Sequence, residues 1–206
     1  MSNEKKLPVI TIGREYGSGG HEIARKLSER LGIPFYDKDI VRTVSKESGY
    51  TEDDVYEQGE HISRAERWFE NFLDNGAPLA YNINTYDQIY TAQKAVILRF
   101  AKEPCIICGR CADKILKEAG IPSFNVFIYA DIDHRVERAK VQYGIEKDVV
   151  KSVLKKDRRR AEYYKLFTGS TWGDYRNYSM MLDSGVLGED ECVNVLADVI
   201  REKYLT

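Results

Sequence analysis

Val9-Ile10-Thr11-Ile12-Gly13-Arg14-Glu15-Tyr16-Gly17-Ser18-Gly19-Gly20-His21-Glu22-Ile23-Ala24 is the stretch that decides the reading of this 206-residue chain. Its apolar, β-branched opening stops at Gly13 and a glycine-rich bend follows. Ile23, Ala24, Leu27 and Leu31 then recur at spacings that share one helix face. The pattern predicts a strand, a glycine loop and a helix N-terminus in that order. Such a junction suits an anion, because backbone N–H groups turn inward at the bend and the helix dipole adds partial positive charge. Glycine lets the backbone approach an anion without a side-chain clash. The same residues also fit a plain turn between a core strand and a core helix. A full phosphate loop asks for lysine and then Ser or Thr after its last glycine. Gly20 and His21 stand in those places.

Working outward, Gly32 is a helix stop and Phe35-Tyr36 a short second strand. Asp37 or Asp39 can cap a following helix with Ile40, Val41 and Val44 on its apolar face. Asp37 and Lys38 stand at a strand's carboxyl end, where charged residues either face a ligand crevice or simply cap. From Gly49 the character turns helical, with an acidic start at Thr51-Glu52-Asp53-Asp54. Trp68, Phe69, Phe72 and Leu73 follow, then a break from Gly76 to Pro78 and a second helical run through Ala92, Val96, Ile97 and Phe100. Residues 49–104 therefore read as a helical insertion between two α/β units. Its aromatics, Tyr81, Tyr86 and Tyr90 included, suit a core or a stacking platform.

Cys105-Ile106-Ile107-Cys108-Gly109-Arg110-Cys111 carries a C-x2-C-x2-C spacing. With Cys192 remote and no histidine adjacent, a buried strand is the better reading than a metal site, so no metal ligand is assigned. Gly109 is expected to open the next helix. Arg110, one step past the strand, can fork onto a phosphate. Ser123-Phe124-Asn125-Val126-Phe127-Ile128-Tyr129-Ala130 is the clearest buried strand, with Asp131 and Asp133 as caps after it. Lys155-Lys156-Asp157-Arg158-Arg159-Arg160-Ala161-Glu162-Tyr163-Tyr164-Lys165 predicts a helix with Lys156 and Arg160 on one face and Arg159 and Tyr163 beside it. Asp157 can hold Arg160 or Arg158. The run is either a solvated charged face or a phosphate-binding one, and its arginine content suits bidentate contact. Tyr178 to Ser184 reads as a last strand and turn before a helix from Glu189. The βα alternation predicts an α/β fold: a parallel sheet of about five strands with helices on both faces and one helical insertion.

Composition limits the functions. Hydrophobic content of 43% and charged content of 31% are those of a globular chain. A net charge of −2 and a pI near 6.0 give no global field for nucleic-acid backbones. The charged opening, Met1-Ser2-Asn3-Glu4-Lys5-Lys6, has no apolar signal core after it, and no run is long enough to span a bilayer. The expectation is one cytoplasmic domain over 1–206, with its four cysteines as thiols, no membrane or nucleic-acid partner, and an oligomeric state that the sequence leaves open.

Taken together, the order of features resembles the cytidylate kinase-like family. This is a divergent relative of the CMP kinases within the P-loop, nucleoside monophosphate kinase fold. The resemblance runs nearly the whole length. Its most specific pieces are Gly13-Arg14-Glu15-Tyr16-Gly17-Ser18-Gly19-Gly20, Tyr36-Asp37-Lys38, and Lys156-Asp157-Arg158-Arg159-Arg160-Ala161-Glu162-Tyr163-Tyr164. It implies transfer of the ATP γ-phosphoryl group to a small acceptor, CMP or dCMP by closest analogy, with Mg2+. Donor contacts are implied for Gly13, Arg14, Tyr16, Gly17, Ser18, Gly19, Gly20, His21 and Arg159. Acceptor contacts are implied for Tyr36, Asp37, Lys38, Arg110 and Asp157, and residues 49–104 match the acceptor lobe. Lys156 and Arg160, in a lid over 146–177, join Arg14 and Arg110 as the catalytic cations. The missing loop lysine leaves Arg14 or Arg160 to replace its charge, and Ser18 or water to serve the metal. Two other readings stay open: a nucleotide-binding regulator that has lost catalysis, and a kinase of a different small molecule.

Overall fold

The computed structural model describes residues 6–59 and 80–206, with side chains over 6–56 and 86–206. Trp68, Phe69, Phe72, Leu73, the Gly76 to Pro78 break and the Tyr81 side chain lie outside the described residues.

Strand β1 (Val9–Arg14) is the axis of a five-stranded sheet. It pairs in parallel with β3 (Ile106–Cys108) on one side and with β4 (Ser123–Tyr129) on the other, with Ile12 facing Cys108 and Val126. The edges are β2 (Phe35–Tyr36), beside β3, and β5 (Met180–Asp183), beside β4, both parallel. The order is thus β2-β3-β1-β4-β5.

Alternation along β1 divides two cores. Ile10 and Ile12 point into a cluster with Ile23 and Leu27 of α1 (Gly20–Leu31) and Leu196 and Ile200 of α9 (Glu189–Leu205). Val9 points to the other face. There α2 (Lys38–Ser48), α3 (Glu52–Gly59), α4 (Ala80–Phe100) and α5 (Ala112–Glu118) pack Ile40, Val44, Val55, Ile97 and Ile115 around Ile107. Burial on both faces is why the strands read as continuous apolar runs and not as alternations. Each fully buried Ile or Leu contributes about 1.5–3 kcal/mol. Helix α6 (Ile132–Tyr143) follows β4, and α7 (Val149–Thr168) packs on α6 through Ala139, Val149 and Val153. A 3-10 turn (Tyr175–Asn177) precedes β5, and a short α8 (Ser184–Leu187) follows it. Among the described residues no helix is long and apolar enough to cross a membrane.

Several local expectations change. The helix expected at Gly109 starts at Ala112, because Gly109, Arg110 and Cys111 all take positive φ (73°, 57° and 55°). Left-handed backbone at two non-glycine residues is costly and persists only where the surroundings impose it. Asp131, not Asp133, caps α6, accepting from His134 N at 2.9 Å. Asp37 sits at the N-cap position of α2 but makes no capping bond, since its carboxylate turns to His21 Nε2 at 3.1 Å. The four cysteines are buried free thiols, and no cluster of three or more His, Cys, Asp or Glu suited to a metal occurs among the described residues.

Candidate functional site

The carboxyl ends of β1 and β3 deliver two buried arginines to one place. Arg14 ends β1 and is 8% exposed; Arg110, carried by the left-handed loop after β3, is 2% exposed. With Arg160 of α7 they line a cavity of about 30 Å³, larger than a water needs. Tyr163, Tyr164, Trp172 and Tyr178 form its aromatic walls. Arg160 Nη1 donates to the Arg14 carbonyl at 3.1 Å, tying α7 to the end of β1. Arg110 is the decisive member. Its Nε, Nη1 and Nη2 are all buried and none meets a hydrogen-bond partner among the described residues. An unpaired buried cation is expensive to keep unless something anionic satisfies it.

One carboxylate enters this cationic setting. Asp113 accepts from the Tyr164 hydroxyl at 2.6 Å, and burial pushes its pKa up against that bond. The cavity therefore presents three guanidinium groups and a carboxyl group that holds its proton more readily than usual.

Loop and cavity are joined through Gly20. A Cβ on that residue would stand 2.5 Å from Arg14 Cβ and 3.1 Å from its Cγ. The Arg14 stem therefore lies across the position from which a loop lysine would spring. Gly17, at φ 84°, is held just as closely, since a Cβ there would meet the Arg135 carbonyl at 2.6 Å. Close approach thus explains both glycines, where looseness does not.

Behind the loop, Arg135 of α6 lies between Glu15, 3.4 Å away, and Asp157, which it also hydrogen-bonds. Asp157 accepts from Tyr16 N at 2.7 Å as well, and stands 3.9 Å from Arg160. Burial raises the pKa of both Glu15 and Asp157, opposed by these partners. Arg158 faces Glu162 at 4.0 Å. Lys156 Nζ lies 4.5 Å from the Tyr16 ring centroid, with the Arg160 guanidinium at 5.7 Å. Burial pushes the Tyr16 hydroxyl up to about 12. Arg159 keeps its Nε buried without a hydrogen-bond partner.

Ser18 is 1% exposed; its hydroxyl donates to the Glu15 carbonyl at 2.9 Å, and its own carbonyl accepts from Ser184 Oγ at 2.6 Å. His21 packs edge-on against Phe35, 5.3 Å between centroids. Tyr36 and Lys38 are not among the cavity's lining: Tyr36 stacks on Phe100 at 4.0 Å, and Lys38 is exposed at the head of α2. Sequence reading misses Arg135 and Arg138. Arg138 lies beside Gly19 and pairs with Glu189. Two arginines three apart on a helix look like ordinary surface charge; their only flag is the helix's position, directly after a strand's carboxyl end.

The comparisons with known proteins agree with this architecture. The chain is 23% identical over 194 residues to a cytidylate kinase from Methanopyrus kandleri (strain AV19), covering 93% of this chain and 92% of that one. A crystal structure of a protein from Eubacterium ventriosum ATCC 27560 superposes with a TM-score of 0.69 at 27% identity, covering 94% and 98% of the two chains. Shikimate kinase from Acinetobacter baumannii, in complex with shikimate, shares the fold at TM-score 0.55 and 14% identity, with 98% and 97% coverage. The model of the cytidylate kinase-like family matches residues 9–186, from β1 with its glycine loop through the arginine helix to the turn after β5, and the chain belongs to that family.

Proposed function

We propose that this protein is an ATP-dependent phosphotransferase of the nucleoside monophosphate kinase type, with CMP or dCMP as the expected acceptor. The observation that carries the proposal is Arg110: a guanidinium 2% exposed, without a hydrogen-bond partner among the described residues, and facing a cavity that it shares with Arg14 and Arg160. Family membership and the curated cytidylate kinase relative support the reaction class.

Arg110 grips the acceptor phosphate. Arg14 supplies the charge that a loop lysine brings elsewhere, reaching over Gly20 from the strand side. An acceptor phosphate oxygen attacks the γ-phosphorus in line, the bond from that phosphorus to the β,γ-bridging oxygen breaks, and ADP departs. Such a step asks the protein for positioning and cations and little covalent work. Residues 146–177 act as a lid, in which Arg160 neutralises the equatorial oxygens while its bond to the Arg14 carbonyl aligns the two cations. Lys156 covers Tyr16 from the same helix. Closure excludes water that would otherwise accept the phosphoryl group.

Magnesium would enter with the nucleotide and would supply charge screening at the phosphate oxygens. The residues near the loop do not make a cage for it. The Ser18 hydroxyl is committed to Glu15, and the Glu15 and Asp157 carboxylates to Arg135. An ion held mainly by phosphates and water is ordinary for Mg2+.

The test is ADP release from MgATP over a panel of nucleoside monophosphates and hydroxyl acceptors. Wild type, Arg14→Gly, and the double variant Arg14→Gly with Gly20→Lys are compared. The expected result is acceptor-dependent ADP, lost by at least about 100-fold in Arg14→Gly and partly regained in the double variant. Full turnover without Arg14 would overturn its role. ATP binding without turnover on any acceptor would instead support a regulator.

A further inference from the structure

Helix α4 faces the core with the stripe Ile89, Gln93, Val96 and Ile97. Three of these are apolar; Gln93 is not. It is 0% exposed, and neither its Oε1 nor its Nε2 meets a hydrogen-bond partner among the described residues. One turn earlier the Tyr90 hydroxyl is buried in the same condition. A carboxamide offers an acceptor and two donors. Leaving such groups unpaired costs about 1–3 kcal/mol each, and a leucine at the same place would cost nothing of the kind. Residues three apart lie side by side on a helix, so the unpaired groups form one patch.

That patch joins the cationic cavity along an aromatic wall. The Tyr90 ring stacks on Phe167 at 4.3 Å and meets Tyr163, a cavity residue, edge-on at 6.5 Å. Cys111, next in the chain to Arg110, packs in the same cluster. The groups unsatisfied among the described residues are thus the Arg110 guanidinium, which lines the cavity, and the Tyr90 hydroxyl and Gln93 carboxamide, on a helix joined to that cavity's wall through the Tyr90–Tyr163 contact. A phosphate satisfies the first. What satisfies the others must be planar enough for the aromatic wall and must carry adjacent donors and acceptors.

We propose that Gln93 and Tyr90 read the hydrogen-bonding edge of a pyrimidine base whose 5′-phosphate is held by Arg110. This rests on the nucleotide-acceptor reading and names two residues of its specificity. The carboxamide can turn over and the hydroxyl can rotate, so the pair recognises the presence of a base edge and does not by itself separate cytosine from uracil.

The experiment is equilibrium binding of CMP, UMP and ribose 5-phosphate, by calorimetry, to wild type, Gln93→Leu and Tyr90→Phe. Thermal melts confirm that each variant folds, and Tyr90→Phe removes only an oxygen. Wild type is expected to prefer CMP and UMP over ribose 5-phosphate. Gln93→Leu is expected to weaken both nucleotides by about 10–100-fold while ribose 5-phosphate stays within about twofold. Tyr90→Phe should weaken them by about 5–10-fold, again sparing the sugar phosphate. Equal loss for all three ligands, or no loss for any, overturns the proposal, as does a wild type without base preference. If the base preference and its loss are seen but no monophosphate elicits ADP release, base recognition stands and the kinase reading falls. If a monophosphate elicits ADP release but neither variant weakens nucleotide binding, the kinase reading stands and base recognition by Gln93 and Tyr90 falls.

Discussion

Replacing Gly20 by alanine tests the close contact between the glycine loop and Arg14. Gly20 opens α1, where alanine is ordinarily the better helix former by up to about 1 kcal/mol. The structure predicts the reverse sign. The added Cβ would stand 2.5 Å from Arg14 Cβ and 3.3 Å from Ile128 Cβ, where carbon atoms prefer about 3.5–4.0 Å. Arg14 Cβ cannot easily yield, because β1 is paired along its whole length with β4 and held by β3 on its other side. Overpacking of this kind costs about 1–3 kcal/mol, leaving a net loss of about 1–2 kcal/mol and a fall in Tm of about 2–8 °C for a domain of this size. The assay is denaturant unfolding with the m-value watched for constancy. The background discriminates further. Arg14→Ala keeps the Cβ and the penalty, whereas Arg14→Gly removes both clashing carbons and should turn Gly20→Ala neutral or stabilising. The coupling in that cycle should be about 1–2 kcal/mol. A Gly20→Ala variant as stable as wild type, or a penalty unchanged in the Arg14→Gly background, would refute the reasoning.

Two further outcomes concern the same region. Arg110→Met, similar in length and uncharged, should leave unfolding free energy unchanged or raise it by about 1–3 kcal/mol while abolishing calorimetric binding of inorganic phosphate; a clear loss of stability would make Arg110 structural. Burial holds the Asp113 pKa above its ordinary 3.8, so the folded state takes up that proton first and the group's contribution makes stability rise as pH falls from the raised value toward 3.8. Asp113→Asn should remove that increment, and wild-type and variant unfolding curves that differ by a constant across this window would contradict it.

Much of the fold is legible in the sequence because its causes are local. β-branched runs, the Gly13 stop and the Ile23, Ala24, Leu27 spacing each mark an element within a dozen residues. Gly32 ends α1 as its conformational freedom suggests, with its N–H on Ser28 O at 2.9 Å. The candidate site is legible in part for the same reason: Arg110 stands two residues past β3, and Asp157 and Arg160 share a helix face. Where sequence and structure differ, side chains have non-local partners. Asp37 reads as a cap, yet its carboxylate answers His21, sixteen positions earlier, and the Tyr36 ring at the preceding strand end stacks on Phe100.

By itself, then, the amino-acid order determined the succession of strands and helices, the glycine loop, the absence of a lysine from it, and the family. Periodicity and turn chemistry act over a few residues, and no distant contact is needed to read them. Only the tertiary structure decided what surrounds the place of the missing lysine. It laid the Arg14 stem across Gly20, seated Arg135 between Glu15 and Asp157, and buried the side-chain nitrogens of Arg110 and the carboxamide of Gln93 with no partner among the described residues. Those are relations between side chains brought together by packing. Whether a buried donor has a partner depends on every element around it, which no local pattern encodes.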